Sequence, residues 1–163
     1  MAALSPVPQF AEPARRFPGL PVRSGALPFR WTPNGMEVLL IRRVHTDDWS
    51  IPKGHLIDGL SFPDTARIEA MEEAGVIGTI ADAPIGSFSH HKARKGFFTS
   101  DEIVEVVTYP LEVSSLDRRW QEDGLRHRRW FGIDEACRVV RPPLAALLAE
   151  FAGARLPVAL PAN

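Results

Sequence analysis

Residues 54–76 read GHLIDGLSFPDTARIEAMEEAGV, and this stretch decides the fold. Its second part predicts a helix over Phe62–Ala74, with Ser61 as the N-cap and Pro63 in the first turn. Gly75 is expected to end the helix, because glycine adopts the left-handed conformation in which many helices terminate. The stretch therefore predicts a loop, a helix and a tight turn in series.

Three glutamates of this helix, Glu69, Glu72 and Glu73, are predicted to share one face, because residues three and four apart are neighbours on a helix. Like charges at these spacings cost a helix about 0.2–0.5 kcal/mol per pair. Arg67 lies on nearly the opposite side and does not relieve the repulsion. Mg²⁺ or Mn²⁺ would relieve it, since both ions prefer carboxylate oxygens. A solvated acidic face is the alternative that the helix alone leaves open.

The spacing of these residues resembles the Nudix box, whose pattern is GX5EX7REUXEEXGU with U an aliphatic residue. The agreement extends over 54–76 and includes both glycines, all three helix glutamates and the last aliphatic position. The matching residues of this chain are Gly54, Glu69, Glu72, Glu73, Gly75 and Val76.

Two positions depart from the box. Leu60 stands where the family has a loop glutamate, and Ile68 stands where it has a helix arginine. In the family these two residues commonly form an ion pair that holds the box together. Replacing both by aliphatic residues can substitute an apolar contact for the pair. Two readings follow, an active hydrolase and a binding module that has lost catalysis.

The resemblance implies a Nudix-type α/β/α sandwich with a mixed β-sheet and a catalytic loop-helix-loop. It also implies a metal-dependent enzyme that cleaves phosphoanhydride bonds, with Glu69, Glu72 and Glu73 as catalytic residues. Those glutamates and the carbonyl of Gly54 would bind Mg²⁺ or Mn²⁺, and Glu69 would be a metal ligand or the general base. Because some family members carry the base on a later segment, Glu102 and Glu105 are further candidates, with surface strand carboxylates as the other reading.

The rest of the chain predicts a mixed sheet flanked by helices, which is an α/β class. Alternating and β-branched runs indicate strands, and polar turn residues separate them. The predicted strands are Val22–Trp31, Met36–Val44, a short extended piece at Trp49–Pro52, β structure in Val76–Ser89 and Phe97–Val113, and Arg126–Ile133. The remaining predicted helices are Asp134–Val139 and Pro142–Phe151.

Length and composition limit the classes of protein. The chain has 163 residues, 45% of them apolar and 24% charged, which indicates one globular domain. A proline-rich arm is predicted at 1–21, the domain at 22–153 and a tail at 154–163. The absence of a long apolar run excludes a membrane helix, and the single cysteine excludes an internal disulfide. A cytoplasmic location is expected, and a homodimer is left open.

The net charge of −1 argues against a nucleic-acid polymer as partner. Local basic patches instead favour a small polyphosphate substrate, with a solvated basic surface as the alternative reading of each patch. The expected substrate-binding residues are Arg42, Arg43, Lys53, His91, Lys92, Arg94, Lys95 and Arg128.

The segment 48–151 is most similar to the diphosphoinositol polyphosphate phosphohydrolase-like branch of the Nudix family. That likeness implies cleavage of diphosphate groups in diphosphoinositol polyphosphates or in dinucleoside polyphosphates, with an ADP-ribose or nucleotide-sugar pyrophosphatase as a further alternative. Trp49, Trp120 and Trp130 could stack on an adenine ring, although packing is the commoner role of tryptophan.

Overall fold

A computed structural model of the chain describes residues 10–92 and 102–155. These ranges contain seven strands and three helices. The strands are β1 (Val22–Thr32), β2 (Gly35–Arg43), β3 (Lys53–Gly54), β4 (Val76–Ile80), β5 (Gly86–Lys92), β6 (Glu102–Leu116) and β7 (Arg126–Gly132). The helices are α1 (Phe62–Ala74), α2 (Ile133–Val139) and α3 (Pro142–Arg155).

The strands form one mixed sheet with the order β4-β6-β1-β2-β7. The pairing of β1 with β6 is parallel, whereas the pairings of β1 with β2 and of β2 with β7 are antiparallel. Short strand β3 pairs with β1 at Ser24 and Gly25, and β5 pairs with β6. This topology brings the starts of β3 and β7 close to the C-terminal end of α1, where the glutamates lie.

Helices cover both faces of the sheet. Helix α1 packs its alanines, such as Ala70, against Leu39 and Tyr109 on one face. Helices α2 and α3 pack on the other face, where Leu148 and Phe131 belong to a second apolar cluster. Neighbouring strand residues point to opposite faces, so the apolar run of β6 supplies both clusters. The predicted α/β/α sandwich with a mixed sheet is confirmed.

The sequence predicts β structure over 76–89, and the structure divides this region into two strands. The chain leaves the sheet after Ile80 and returns at Gly86. Pro84 lies in this interval and has no N–H to donate to a ladder. As a result β4 and β5 pair with different halves of the same strand, β6. The predicted strand start at Phe97 lies outside the described residues.

Glu105 anchors the part of the N-terminal arm that the structure describes. Its carboxylate is fully buried and accepts hydrogen bonds from Nε of Arg15 at 2.7 Å and from Oγ of Ser87 at 2.6 Å. The main-chain N–H groups of Arg16 and Phe17 donate to the same carboxylate at 2.7 and 3.1 Å. Burial opposes the charged form, but these hydrogen bonds outweigh it and lower the pKa of Glu105. Glu105 is therefore a structural anchor, which differs from the general-base role considered from the sequence.

Glu102, the other base candidate on β6, forms an ion pair with Arg23 at 3.6 Å. Within residues 10–92 and 102–155, none of the helices has the length and apolar character that crossing a bilayer requires.

Candidate active site

Helix α1 has the boundaries that the sequence predicts. Oγ of Ser61 accepts a hydrogen bond from the N–H of Asp64 at 3.1 Å, which caps the first turn. Gly75 has φ 64°, and its N–H donates to the carbonyls of Ala70 and Met71. The last turn of α1 contains no basic residue, so any compensation for its glutamates must come from other elements.

Glu73 is the most buried of the three glutamates, with 8% of its surface exposed. Its Oε2 accepts from the main-chain N–H of Lys53 at 3.3 Å, and its Oε1 accepts from Nη2 of Arg126 at 3.2 Å. Burial raises the pKa of Glu73 to about 7, and the attraction of Arg126 and Lys53 only partly offsets this effect. A buried carboxylate of this kind is poorly compensated without a further cation.

Glu69 lies directly against Gly54. A Cβ atom at position 54 would collide with the carboxylate of Glu69, so any larger residue there would displace that carboxylate. Burial raises the pKa of Glu69, and the negative charges of Glu72 and Glu122 raise it further. The close approach of Glu69 to the backbone of β3 follows the arrangement expected of a box glycine and a helix glutamate.

The donor set at the end of α1 fits a hard divalent cation. Carboxylate oxygens are the ligands that Mg²⁺ and Mn²⁺ prefer, and two of these carboxylates have raised pKa values because their charges are desolvated and repel each other. In the described part of the chain, no three acidic, histidine or cysteine side chains converge tightly enough to form a ready-made ion site.

Trp120 and Arg128 close the C-terminal end of α1. Nε1 of Trp120 donates to the carbonyl of Glu73 at 3.0 Å, and Nη1 of Arg128 donates to the carbonyl of Ala74 at 2.7 Å. The guanidinium of Arg128 lies 3.9 Å from the Trp120 ring centroid and also donates to the carbonyl of Asp117 at 2.7 Å. These contacts supply the cation that the last turn of α1 lacks. They give Arg128 a structural role, which differs from the phosphate contact expected from the sequence.

Glu122 is a site residue that the sequence analysis missed. Its main-chain N–H donates to the carbonyl of Glu72 at 3.1 Å, and its Oε2 lies 3.5 Å from Nε of Arg126. A signal was present, since Glu122 precedes Arg126 by four residues and directly follows the Trp120 region. Its position beside the box depends on how the 117–125 loop packs on α1, which spacing alone does not give.

A cavity of about 280 Å³ lies on the side of the sheet that α3 covers, and its lining residues do not include the glutamates of α1. Most of its exposed lining is apolar. Lys53 connects the two regions, because its N–H contacts Glu73 and its Nζ lies 3.5 Å from Oγ of Ser50 in the cavity wall. The lining residues include Trp49, Phe88, Ile103, Pro142, His90 and Arg141.

Burial and neighbouring charges affect the ionisable side chains at the cavity. Arg141 forms an ion pair with Asp48 at 2.8 Å. Burial, together with the positive charges of Lys53 and Arg141, lowers the pKa of His90 to about 3, so its imidazole is neutral at physiological pH. Burial also lowers the pKa of Lys53 to about 8 against the attraction of Glu73.

The other predicted phosphate contacts are spread around this region. Nη1 of Arg42 donates to the carbonyl of Thr46 at 2.7 Å, and its guanidinium lies 5.3 Å from the Trp49 ring centroid. Arg43, His91 and Lys92 are exposed. Arg94 and Lys95 lie outside the described residues.

The three candidate stacking tryptophans have different surroundings. Trp49 lines the cavity and packs on Phe131 with ring centroids 5.0 Å apart. Trp120 belongs to the closure of α1, and Trp130 packs under Arg30 at 4.1 Å. Only Trp49, among these three, is placed to contact a molecule in the cavity.

Comparison with known protein families identifies the family of this chain. The NUDIX domain profile matches residues 23–152, which is most of the chain. The chain belongs to the Nudix family. The match covers β2, β3, α1 and β7. It therefore includes the three helix glutamates, Glu69, Glu72 and Glu73, and the residues that contact them.

Curated relatives agree with this assignment. The chain is 31% identical over 111 residues to Nudix hydrolase 12, mitochondrial, of Arabidopsis thaliana, an alignment that covers 66% of this chain and 54% of that protein. It is 30% identical over 112 residues to Nudix hydrolase 13, mitochondrial, of the same plant, covering 66% and 55%. The chain thus spans about half the length of these curated relatives.

Solved structures support the fold. The Ap4A hydrolase of C. elegans in a binary complex has a TM-score of 0.61 at 20% identity, covering 82% of this chain and 96% of that one. The NUDIX domain of Shewanella oneidensis NrtR, complexed with ADP ribose, has a TM-score of 0.60 at 17% identity and covers 96% of both chains. The Nudix fold is therefore common to proteins of different ligands.

The raised pKa of Glu73 predicts how the stability of the ion-free protein depends on pH. The folded state retains the proton up to about pH 7, whereas the unfolded chain releases it near the ordinary glutamate pKa. The stabilising contribution is complete below the unfolded pKa and is lost as pH rises through about 7. We expect the free energy of unfolding in chelator to fall by on the order of 3 kcal/mol over that window.

Urea unfolding at a series of pH values between 4 and 8, with chelator present, measures this loss. Glu73→Gln should flatten the profile, whereas Glu37→Gln, which removes a partly exposed partner of Arg30, should leave it unchanged. Identical profiles for the wild type and Glu73→Gln would contradict the assignment.

Proposed function

We propose that this Nudix domain is a divalent-cation-dependent hydrolase that cleaves a phosphoanhydride bond in a nucleotide-containing small molecule. The observation that carries the proposal is the position of Lys53, whose main-chain N–H donates to the buried carboxylate of Glu73 and whose Nζ lies 3.5 Å from Oγ of Ser50 in the cavity wall. A phosphate chain at the carboxylates and an uncharged ring in the cavity would occupy both regions together.

The residues that would hold Mg²⁺ or Mn²⁺ are Glu69, Glu72, Glu73 and the carbonyl of Gly54. When bound, the ion would neutralise phosphate oxygens and lower the pKa of a bound water. We assign the proton acceptor to Glu69, because its carboxylate lies against the backbone at Gly54 and because burial and neighbouring carboxylates raise its pKa. Glu122 adds a second carboxylate on the opposite side of Arg126.

The substrate class follows from the cavity lining. We propose that a nucleobase binds in the cavity beside Trp49, where the neutral imidazole of His90 offers a hydrogen bond without a charge. A fully phosphorylated inositol has no apolar face and would place its charges against this wall. We therefore favour dinucleoside polyphosphates or a related nucleoside diphosphate derivative over diphosphoinositol polyphosphates.

Basic side chains around Lys53 would bind the phosphate chain. Lys53 lies between the carboxylates and the cavity, and Arg43, His91 and Lys92 are exposed. Arg94 and Lys95 remain predicted phosphate contacts from the sequence. We propose a small-molecule substrate as the partner of this domain. Association with a second copy of the chain remains a prediction.

The activity test is hydrolysis of a dinucleoside polyphosphate, ADP-ribose and a diphosphoinositol polyphosphate, each with Mg²⁺, with Mn²⁺ and with chelator. We expect turnover of the nucleotides only with metal, and a loss of at least about 100-fold in kcat for Glu73→Gln, because the variant removes a charged ligand. Glu37→Gln is the matched control and should retain wild-type turnover.

Turnover that persists in chelator or in Glu73→Gln would contradict the proposal. Tight nucleotide binding without products would favour the binding module that Leu60 and Ile68 suggest. Preferential cleavage of the diphosphoinositol polyphosphate would restore the branch expected from the sequence.

The cavity assignment makes a separate prediction for Trp49→Ala. Stacking of a base on an aromatic side chain contributes about 1–3 kcal/mol, so we expect KM for the nucleotide to rise by about 10-fold while kcat changes little. Trp31→Ala is the control, because Trp31 is 49% exposed on the β1–β2 hairpin. A fall in kcat at constant KM, or equal effects of both variants, would show that the base does not bind beside Trp49.

A further inference from the structure

Arg126, the first residue of β7, lies between two carboxylates at the end of α1. Its Nη2 lies 3.2 Å from Oε1 of Glu73, and its Nε lies 3.5 Å from Oε2 of Glu122. One guanidinium therefore serves both carboxylates, one from the box and one from the following loop.

This arrangement is buried but poorly fitted. The side chains of Arg126 and Glu73 are 14% and 10% exposed, and Nε of Arg126 is buried without a hydrogen-bond partner within the described part of the chain. A guanidinium binds a carboxylate best as a two-pronged fork, and a buried donor without a partner is costly. Arg126 thus donates one hydrogen bond to Glu73 through Nη2, whereas its Nε has only the charge of Glu122 beside it.

Helix α1 supplies no alternative to this cation. Ile68 occupies the box position at which the family has an arginine, and Arg67 is exposed. The last turn of the helix has no basic residue. The positive charge next to Glu73 therefore comes from a different strand, at the same carboxylate that the proposed function assigns to the metal.

We propose that Arg126 is a resident counterion of Glu73, which competes with the divalent cation for that carboxylate and leaves it when the ion binds. The inference rests on the proposed function, because it takes Glu73 as a cation ligand. It adds that the metal affinity of this protein is set partly by the strength of an internal ion pair.

Competition has a definite sign. If Arg126 and the metal exclude each other at Glu73, removing the guanidinium must strengthen metal binding, and metal binding must weaken the ion pair by the same factor. If Arg126 instead holds Glu73 in the orientation that the metal needs, removing it must weaken metal binding. The two roles predict opposite changes in one dissociation constant.

The test is calorimetric titration of the full chain with Mn²⁺ at pH 8, above the pKa of Glu73, in the absence of substrate. We expect Arg126→Gln to bind Mn²⁺ about 10-fold more tightly than the wild type, within the usual range of coupling between two sites. Arg129→Gln is the matched control, because Arg129 lies on the same strand and pairs with Glu135 at 2.9 Å, away from α1. It makes the same change in net charge and should alter the dissociation constant by less than about twofold.

The variant Glu73→Gln distinguishes a failure of the proposed metal site from a failure of the competition between Arg126 and the metal. Mn²⁺ binding that is absent in the wild type, or that does not depend on Glu73, overturns the proposed metal site and this inference together. Binding that depends on Glu73 but is unchanged or weaker in Arg126→Gln overturns the inference alone. An equal gain in Arg129→Gln also overturns it, because the effect would then reflect net charge.

A measurement on the wild-type protein covers the case in which Arg126→Gln does not fold. The Nε–H resonance of Arg126 reports its surroundings by NMR, and Mg²⁺ is diamagnetic. We expect this resonance to move with Mg²⁺ occupancy while that of Arg129 stays in place. An Arg126 resonance that is unchanged at saturating Mg²⁺ would overturn the competition.

Discussion

The placement of a buried carboxylate at the end of a helix is the constraint on which the rest of this site depends. Glu73 has little solvent to stabilise its charge, and its own helix offers no cation. The main-chain N–H of Lys53 and the guanidinium of Arg126 reach it from β3 and β7. Because both strands begin beside the C-terminal end of α1, the sheet topology itself assembles the polar surroundings of the box.

The C-terminal end of α1 is also capped by residues from outside the helix. Trp120 and Arg128 contact carbonyls of the last turn from outside the helix, and Gly75 leaves room for them, since a Cβ there would lie 2.7 Å from Nη1 of Arg128. The left-handed φ of Gly75 and this close approach both require glycine. The box glycine therefore serves the packing of β7 as well as the helix end.

Local signals in the sequence were sufficient for most of the fold. The boundaries of α1 could be predicted because an N-cap at Ser61 and a glycine at position 75 act within a few residues. The strands could be predicted from their composition, and the mixed sandwich from the order of elements. The break after Ile80 was missed, because it depends on which half of β6 each neighbouring strand pairs with.

The roles of the charged residues were less accessible. Arg126 and Arg128 both point toward α1 from alternate positions of β7, but one contacts Glu73 and the other contacts main-chain carbonyls. From the sequence, Glu105 could be read as a surface carboxylate on a strand. In the structure it is buried and holds the N-terminal arm through Arg15. Such distinctions depend on strand register and on long-range contacts, which a residue pattern does not contain. The box spacing could locate the glutamates, whereas the cations that balance them had to be found in space.

Crystals of the protein grown with Mn²⁺ and measured at the manganese absorption edge would show whether Glu73 holds the ion. We expect an anomalous peak within coordination distance of Glu73, next to Glu69 and Gly54, with the guanidinium of Arg126 moved away. A structure at saturating Mn²⁺ with no peak at this position, and with Arg126 still paired to Glu73, would show that Glu73 is not a metal ligand.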